Sequence, residues 1–316
     1  NIPASNPAFQ YWIQNVHQMD PPPVERLTEG LKHADALISP SNVILEDWKD
    51  IVPGYYWPNY PTLDYYEDFP RREMGDPDVL YRYKVEGDTV ARDDKGNPLL
   101  EFEETKPAII IGWGGSMSHI ASFYYSGVID ALARLLSERD DVRFKFCGHD
   151  PRLDWMWAKL PKDKFIRQDG VNPNDWPKVL GTFDIGIAPL DMRPCDSVVG
   201  KVEGLSYDER RSWLKLVEYL CAGVPFVATD SAPYRDLGRF GKLVPNTADA
   251  WYEALASRVD NLAYFRAEAE RNRQYALGKY TIEANAQRLV DFYERIGTET
   301  QVRRMSAKLP DVLYVG

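Results

Sequence analysis

Residues 214–230 read LKLVEYLCAGVPFVATD, and this stretch decides the fold. Trp213, Val217 and Leu220 recur at helical spacing, with Leu214 and Cys221 beside them, so an amphipathic helix is predicted. Gly223 stands where a helix ends in the left-handed conformation. Pro225 keeps the helix from resuming. PFVATD then follows as a short apolar strand. A helix that turns a Gly-Val-Pro corner straight into a buried strand is half of an alternating, parallel α/β architecture. Upstream, Ser206 and Glu209 have the spacing of a capping box, and SYDERRSWLKLVEYLCAG is expected to be one helix. Arg211, Lys215 and Glu218 lie opposite the apolar stripe, and folding alone does not explain them.

Two readings of Glu218 compete. In one it makes a surface pair with Lys215, three residues away, worth a few tenths of a kcal/mol. In the other it faces a ligand. The helix begins just after the strand DIGIAPL, outside the carboxyl end of the sheet, where open α/β sheets bind ligands. A helix N-terminus there holds a phosphate on its free N–H groups. Lys215 then adds positive charge, and Glu218, one turn on, accepts hydrogen bonds from ribose hydroxyls.

The region from 107 onward keeps the same rhythm. AIIIGW, RFKFCG, FIRQ, DIGIAPL, PFVATD and GKLVP read as strands. Helices are expected at 119–138, over WPKVLGTF, over ADAWYEALASRV, and at about 260–277 and 281–296. Strands apolar on both faces fit a doubly wound sheet covered on both sides. After AIII comes GWGGSMSH, where Gly114 and Gly115 let the backbone approach a ligand and Ser116 can face a phosphate. It matches neither the dinucleotide fingerprint nor a Walker loop, and by itself it also reads as a tight strand-to-helix turn.

The first 106 residues are less regular. Residues 24–38 read as an amphipathic helix running into a short strand, and Ser41 as the cap of a helix carrying Val43, Ile44 and Trp48. Residues 61–106 are acidic, aromatic and proline-rich, with a β-hairpin or meander whose turns are EGD and DKGN. Tyr55, Tyr56, Trp57, Tyr60, Tyr65 and Tyr66 read mainly as packing of a linker, with stacking on a sugar as the other use. The expected divisions are a partial N-terminal α/β domain at 1–60, a linker with a hairpin insertion at 61–106, a Rossmann-like domain at 107–280, and a crossover helix and tail at 281–316.

Composition narrows the function. The 316 residues are 44% hydrophobic and 27% charged, with a net charge of −10. An acidic chain lacks the basic footprint of a duplex nucleic-acid binder. No apolar run approaches a membrane span of about 18 residues, and no signal peptide is read at the start. Three scattered cysteines give neither a disulfide framework nor a metal site, and they suit a reducing, cytoplasmic setting. His119 is a candidate contact for the sugar or phosphate, His149 a lesser one on the base side, and His17 and His33 read as surface residues. Asp191, Asp196, Asp93 and Asp94 read as solvated, and no metal-ligand spacing emerges.

IIIGWGGSMSH (109–119), FDIGIAPL (183–190), SWLKLVEYLCAGVPFVATD (212–230) and GKLVPNTADAWYEAL (241–255) together resemble the C-terminal half of retaining GT-B glycosyltransferases, family 4-like. ADALISPSNVILEDW and VPGYYWPNYP look like the end of that family's N-terminal domain and its interdomain linker. The resemblance implies a nucleoside diphosphate-sugar donor, no further cofactor and no required metal. It implies that Gly114, Gly115 and Ser116 form the loop facing the diphosphate, joined by Arg211, Ser212, Trp213 and Leu214 at the helix start and by Lys215. Glu218 matches the second glutamate of the family's E-x7-E motif, which contacts the ribose. The base falls near Val171 and residues 148–152.

This chain departs from the pattern in two places. Arg210 stands where the first glutamate belongs, and the long loop before it makes Lys201, Arg210 and Arg211 candidates for closing on phosphate or for simple solvation. The 60 residues before the linker also fall short of a second Rossmann-like domain, so the acceptor side is expected to be missing here or supplied otherwise, by a longer parent or by a partner chain. Three functions follow: transfer of the sugar to an unidentified acceptor, a truncated non-catalytic binding or assembly module, and nucleotide-sugar epimerisation, which would need acids and bases that the N-terminal residues do not offer.

Overall fold

The computed structural model describes residues 20–21, 23–67, 71–73, 79–83, 85–86, 89–94, 99–104, 107–115, 117–148, 151–194 and 204–308. Ser116, His17, His149, Asp196 and Lys201 lie outside them, as do the tips of the EGD and DKGN turns.

The N-terminal elements are α1 (Pro23–Lys32), β1 (Leu37–Ser39), α2 (Asn42–Trp48) and β2 (Gly54–Tyr56). Ser41 caps α2, its side chain accepting from the Ile44 N–H as its position predicts. β1 and β2 pair in parallel, Ile38 opposite Tyr55, so β1, α2 and β2 make one βαβ unit. Next come β3 (Val79–Tyr83), β4 (Val85–Glu86), β5 (Thr89–Val90) and β6 (Leu100–Glu104). β3 pairs antiparallel with β6, and β4 with β5, in the nested manner of a hairpin.

The remaining strands form one sheet. They are β7 (Ile109–Gly114), β8 (Val142–Cys147), β9 (Phe165–Gln168), β10 (Ile185–Ala188), β11 (Phe226–Thr229) and β12 (Lys242–Val244). Every pairing is parallel, and the order is β12-β11-β10-β7-β8-β9. Numbered within this sheet the order is 6-5-4-1-2-3, the Rossmann arrangement, with its reversal of winding between β7 and β10. Alternate residues of β7 serve opposite faces. Ile111 and Trp113 join the core under α3 (Ile120–Ser126), α4 (Val128–Glu138) and α7 (Ala248–Asp260). Ile110 joins the core under α5 (Trp176–Leu180), α6 (Leu214–Ala222) and α8 (Leu262–Leu277).

Helix boundaries differ from the sequence reading at three places. The segment 119–138 is two helices, parted at Gly127 with φ of +83°. A Cβ at Gly127 would sit 2.7 Å from the backbone nitrogen of Ala248, so α7 packs where a side chain would otherwise be. The stretch 206–222 is a 3₁₀ turn at Asp208–Arg210 followed, after a break, by α6. Its Ser206–Glu209 box is formed in both directions, at 2.7 and 3.1 Å, and it caps the turn rather than the helix. The last helix, α9 (Ala286–Lys308), begins later and runs further than expected.

α9 crosses back onto the βαβ unit. Phe292 packs on Trp57 at 4.8 Å and on Tyr55 at 6.3 Å. Tyr55 donates to Glu299, Arg303 donates to the Tyr55 oxygen at 2.9 Å, and Arg304 pairs with Asp35 at 2.7 Å.

The linker is tied to the amino end of the two central strands, β7 and β10. Asp184, 2% exposed at the foot of β10, accepts from the Ile110 N–H at 2.8 Å and pairs with Arg266 at 2.7 Å. Arg72, from the linker, reaches the same carboxylate at 3.5 Å and donates to Ala108 O at 2.8 Å. Asp184→Asn would leave two buried guanidinium groups short of their counter-charge. It is expected to lower stability by about 3 kcal/mol in urea unfolding. A loss below about 1 kcal/mol would show that this cluster does not hold the linker.

Candidate functional site

A cavity of 1160 Å³ opens at the carboxyl end of the sheet. Gly114 and Gly115 at the end of β7, Cys147 and Gly148 at the end of β8, and Gly170 and Val171 after β9 form its floor. Leu214, Lys215 and Glu218 on α6 form one wall. The other wall is the linker, with Trp57, Asn59, Tyr60, Tyr65 and Tyr66, together with Leu289 and Tyr293 of α9. The cavity thus lies beside the reversal of winding between β7 and β10, where neighbouring connections leave in opposite directions and cannot cover the strand ends.

Glycine makes this floor. Gly148 has φ of +98°, and a Cβ there would come within 2.2 Å of Gly115 O. A Cβ on Gly114 would meet the Trp176 ring at 2.3 Å. Both turns therefore bring backbone, rather than side chains, to the cavity.

Of the residues singled out from sequence, Gly114, Gly115, Val171, Leu214, Lys215 and Glu218 come together in this lining. Lys215 and Glu218 are half-buried, which corrects the picture of a solvated surface pair. They do not form an ion pair with each other. Lys215 donates to Gly114 O at 2.6 Å and lies 5.1 Å from the Trp113 ring and 5.5 Å from the Trp176 ring. Burial pushes its pKa down, partly opposed by Glu218. Burial pushes the pKa of Glu218 up, opposed by Lys215 and by a hydrogen bond from Trp176. Two half-buried charges held by a carbonyl and an indole keep capacity for a charged, hydrogen-bonding ligand.

His119, Arg211, Ser212 and Trp213 are not among the described residues that line the cavity. His119 stands edge-on to Trp113 at 5.3 Å, and its Nδ1 has no hydrogen-bond partner among the described residues. Burial, with Arg211 and Lys215 nearby, pushes its pKa well down, so the imidazole is neutral at pH 7. Arg211 is committed to the protein. It pairs with buried Asp208 at 2.5 Å and donates to Ser118 O at 2.9 Å, bracing the loop that carries the glycines. Ser212 accepts from Asn59 of the linker at 3.1 Å. Trp213 packs edge-on against Tyr280 at 5.7 Å.

Arg210 likewise does not close on the cavity. It pairs with Asp47 of α2 at 2.8 Å, and both side chains are largely buried. The position at which the resemblance sets a carboxylate is therefore a fastening between the βαβ unit and the approach to α6.

The sequence reading missed Trp176. WPKVLGTF was read only as a helix, yet its first residue walls the cavity beside Glu218. A tryptophan opening a short helix straight after a Gly-Val-Asn-Pro-Asn turn was the available signal. Within the aromatic run, Tyr66 is 1% exposed and packed, and Trp57, Tyr60 and Tyr65 line the cavity beside it.

No protein-family model matches the sequence, and no curated protein matches it at the sequence level. Solved structures do share its fold. Sucrose-phosphate synthase from Thermosynechococcus elongatus superposes with a TM-score of 0.52 at 12% identity, over 91% of this chain and 65% of that one. Anabaena Alr3699/HepE, in complex with UDP and glucose, gives 0.54 at 12% identity, over 86% and 66%. The pneumococcal O-GlcNAc transferase GtfA, in complex with UDP and GlcNAc, gives 0.51 at 13% identity, over 86% and 47%. The chain thus spans about two thirds or less of each of these proteins. The likeness shows the fold, an α/β chain of the Rossmann-like, GT-B kind. Among the described residues, no helix is long and apolar enough to cross a membrane.

Two outcomes test this geometry. Because the pKa of Glu218 is raised, the folded chain keeps this proton to a higher pH than the unfolded chain. The resulting stability is full below the ordinary glutamate range, about pH 4, and is lost as the pH rises through the raised value. Glu218→Gln should therefore raise the melting temperature by a few degrees at pH 7, with the gain fading toward about pH 4; a lower melting temperature at pH 7 would count against an uncompensated charge. For the fastening, Asp47→Asn and Arg210→Gln should each cost about 2–3 kcal/mol, with the double variant costing far less than their sum. Additive losses would mean that the pair does not act as a unit.

Proposed function

We propose that this chain is a retaining, metal-independent glycosyltransferase that moves a sugar from a nucleoside diphosphate-sugar to an acceptor. The single observation that carries the reading is the convergence of the glycine floor, Lys215 and Glu218 on one cavity at the carboxyl end of a Rossmann-type sheet. In this reading the diphosphate lies against Gly114, Gly115 and the first turn of α6. The free N–H groups of that turn and the Lys215 ammonium take up charge as the diphosphate departs. Glu218 accepts from the ribose hydroxyls. Val171, Gly170 and Gly148 leave an apolar slot for the base. His119 and Arg211 shape the loop from behind. The acceptor approaches from the side of the linker and α9, where Trp57, Tyr60 and Tyr293 offer aromatic faces.

The chemistry asked of the protein is positioning and charge stabilisation, and the arrangement supports both without a nucleophilic side chain. Two of the structural neighbours hold UDP with a sugar, so a uridine diphosphate sugar is the first donor to try. One observation favours a second reading, a nucleotide-sugar-binding module without transfer activity: Arg210, paired with Asp47, occupies the place of the first glutamate.

Calorimetric titration of UDP, UDP-glucose, UDP-GlcNAc and GDP-mannose tests the donor site. One nucleotide should bind, and both Lys215→Met and Glu218→Gln should weaken it by tenfold or more, about 1.4 kcal/mol. Wild-type binding should also weaken on acidification at a pH above the ordinary glutamate range, and Glu218→Gln should remove that limb. Failure of every nucleotide to bind would remove the transferase and the module together. Binding without sugar transfer to any acceptor or to water would leave the module.

A further inference from the structure

A second cavity, of 70 Å³, lies at the opposite end of the sheet, where Pro225 leads into β11 and Gly241 into β12. Arg239 and Arg258 line it, with Phe265 and Glu268 from α8. We propose that this cavity binds one small oxyanion, such as free phosphate or sulfate.

Arg258 carries the argument. It is only 6% exposed, and its Nε has no hydrogen-bond partner among the described residues. Its one hydrogen bond there is a long one, from Nη1 to Ala254 O at 3.3 Å, and its guanidinium lies 4.6 Å from the Phe265 ring centre. Burial pushes its pKa down to about 10, with Glu268 the opposing influence. Yet Glu268 makes no ion pair with it. A buried guanidinium without a bonded counter-charge is expensive, and such groups are normally paired.

Glu268 is the one carboxylate among the described residues of the lining. Arg239 is exposed, makes no ion pair among the described residues, and reaches the Tyr275 phenol at 3.4 Å. Lys279 donates to that same phenol oxygen at 2.7 Å. In a chain of net charge −10, the lining itself holds two arginines and one partly buried carboxylate. The volume has room for a few waters or one tetrahedral anion, and it excludes a nucleotide. An anion seated here would take bidentate bonds from planar guanidinium groups, the geometry that arginine offers to oxyanions.

The test is thermal unfolding of the full chain in rising sodium phosphate, at ionic strength held constant with sodium chloride. Wild type should gain several degrees in a saturable manner, and sulfate should act likewise. Arg239→Gln, at an exposed position where folding is not at stake, should lose most of the shift. Arg258→Lys, which keeps the charge but not the planar fork, should weaken it severalfold. Glu268→Gln should tighten binding severalfold by removing the competing carboxylate. Lys215→Met, in the large cavity, should leave the shift intact. The proposal is overturned if phosphate does no more than chloride, if Arg239→Gln keeps the full shift, or if Lys215→Met abolishes it.

Discussion

The structure depends on one topological constraint. β7 lies in the middle of a parallel sheet and is flanked by β8 on one side and β10 on the other. Connections on the two sides must wind onto opposite faces, because each strand–helix–strand crossover is right-handed. No connection can then bridge the carboxyl ends of β7 and β10. The open crevice is a consequence of chain winding. What the residues decide is how it is furnished: glycines where the backbone must come close, a lysine and a glutamate on a helix that begins beside it, and tryptophan at its wall.

That furnishing carries an energetic signature. Lys215 and Glu218 are each held in the less favourable direction, one pKa pushed down and the other up, both chiefly by burial. Two buried aspartates away from the cavity are satisfied in full. Asp184 is surrounded by a backbone N–H and two arginines, and Asp208 takes hydrogen bonds from Ser122 at 2.5 Å and from the Asp191 N–H at 2.7 Å as well as its pair with Arg211. Charges left short of partners beside a cavity are groups that a ligand can still satisfy.

The C-terminal sheet was legible from the sequence because its signals agree. Short apolar runs, a Gly-Val-Pro corner and caps at regular intervals all point to parallel strands alternating with helices, and each strand read this way is present. Glu218 was legible as a candidate because its charge had no role in folding. Other features were hidden for physical reasons. The break at Gly127 follows from the approach of α7, which lies more than a hundred positions later and leaves no local periodicity. The pairing of Arg210 with Asp47 spans 163 positions, so an arginine in a charged loop looked solvated. Trp176 was passed over as a site residue because an aromatic at a helix start also reads as packing, and only its place after the turn pointed to the cavity.

The closing helix has a further consequence for how such a chain becomes a protein. Tyr55 and Glu299 are 244 positions apart, and Asp35 and Arg304 are 269. During vectorial synthesis the βαβ unit emerges before the large sheet and gains its cover from α9 after it. Until α9 is made, the aromatic side of residues 55–57 lies uncovered, and a single parallel pair has little capacity to stand alone. The sheet built from residues 107–260 has its core and its helices close together in sequence and can form before that closure. The wall of the large cavity that α9 supplies, Leu289 and Tyr293, is thus in place only after that fastening is made.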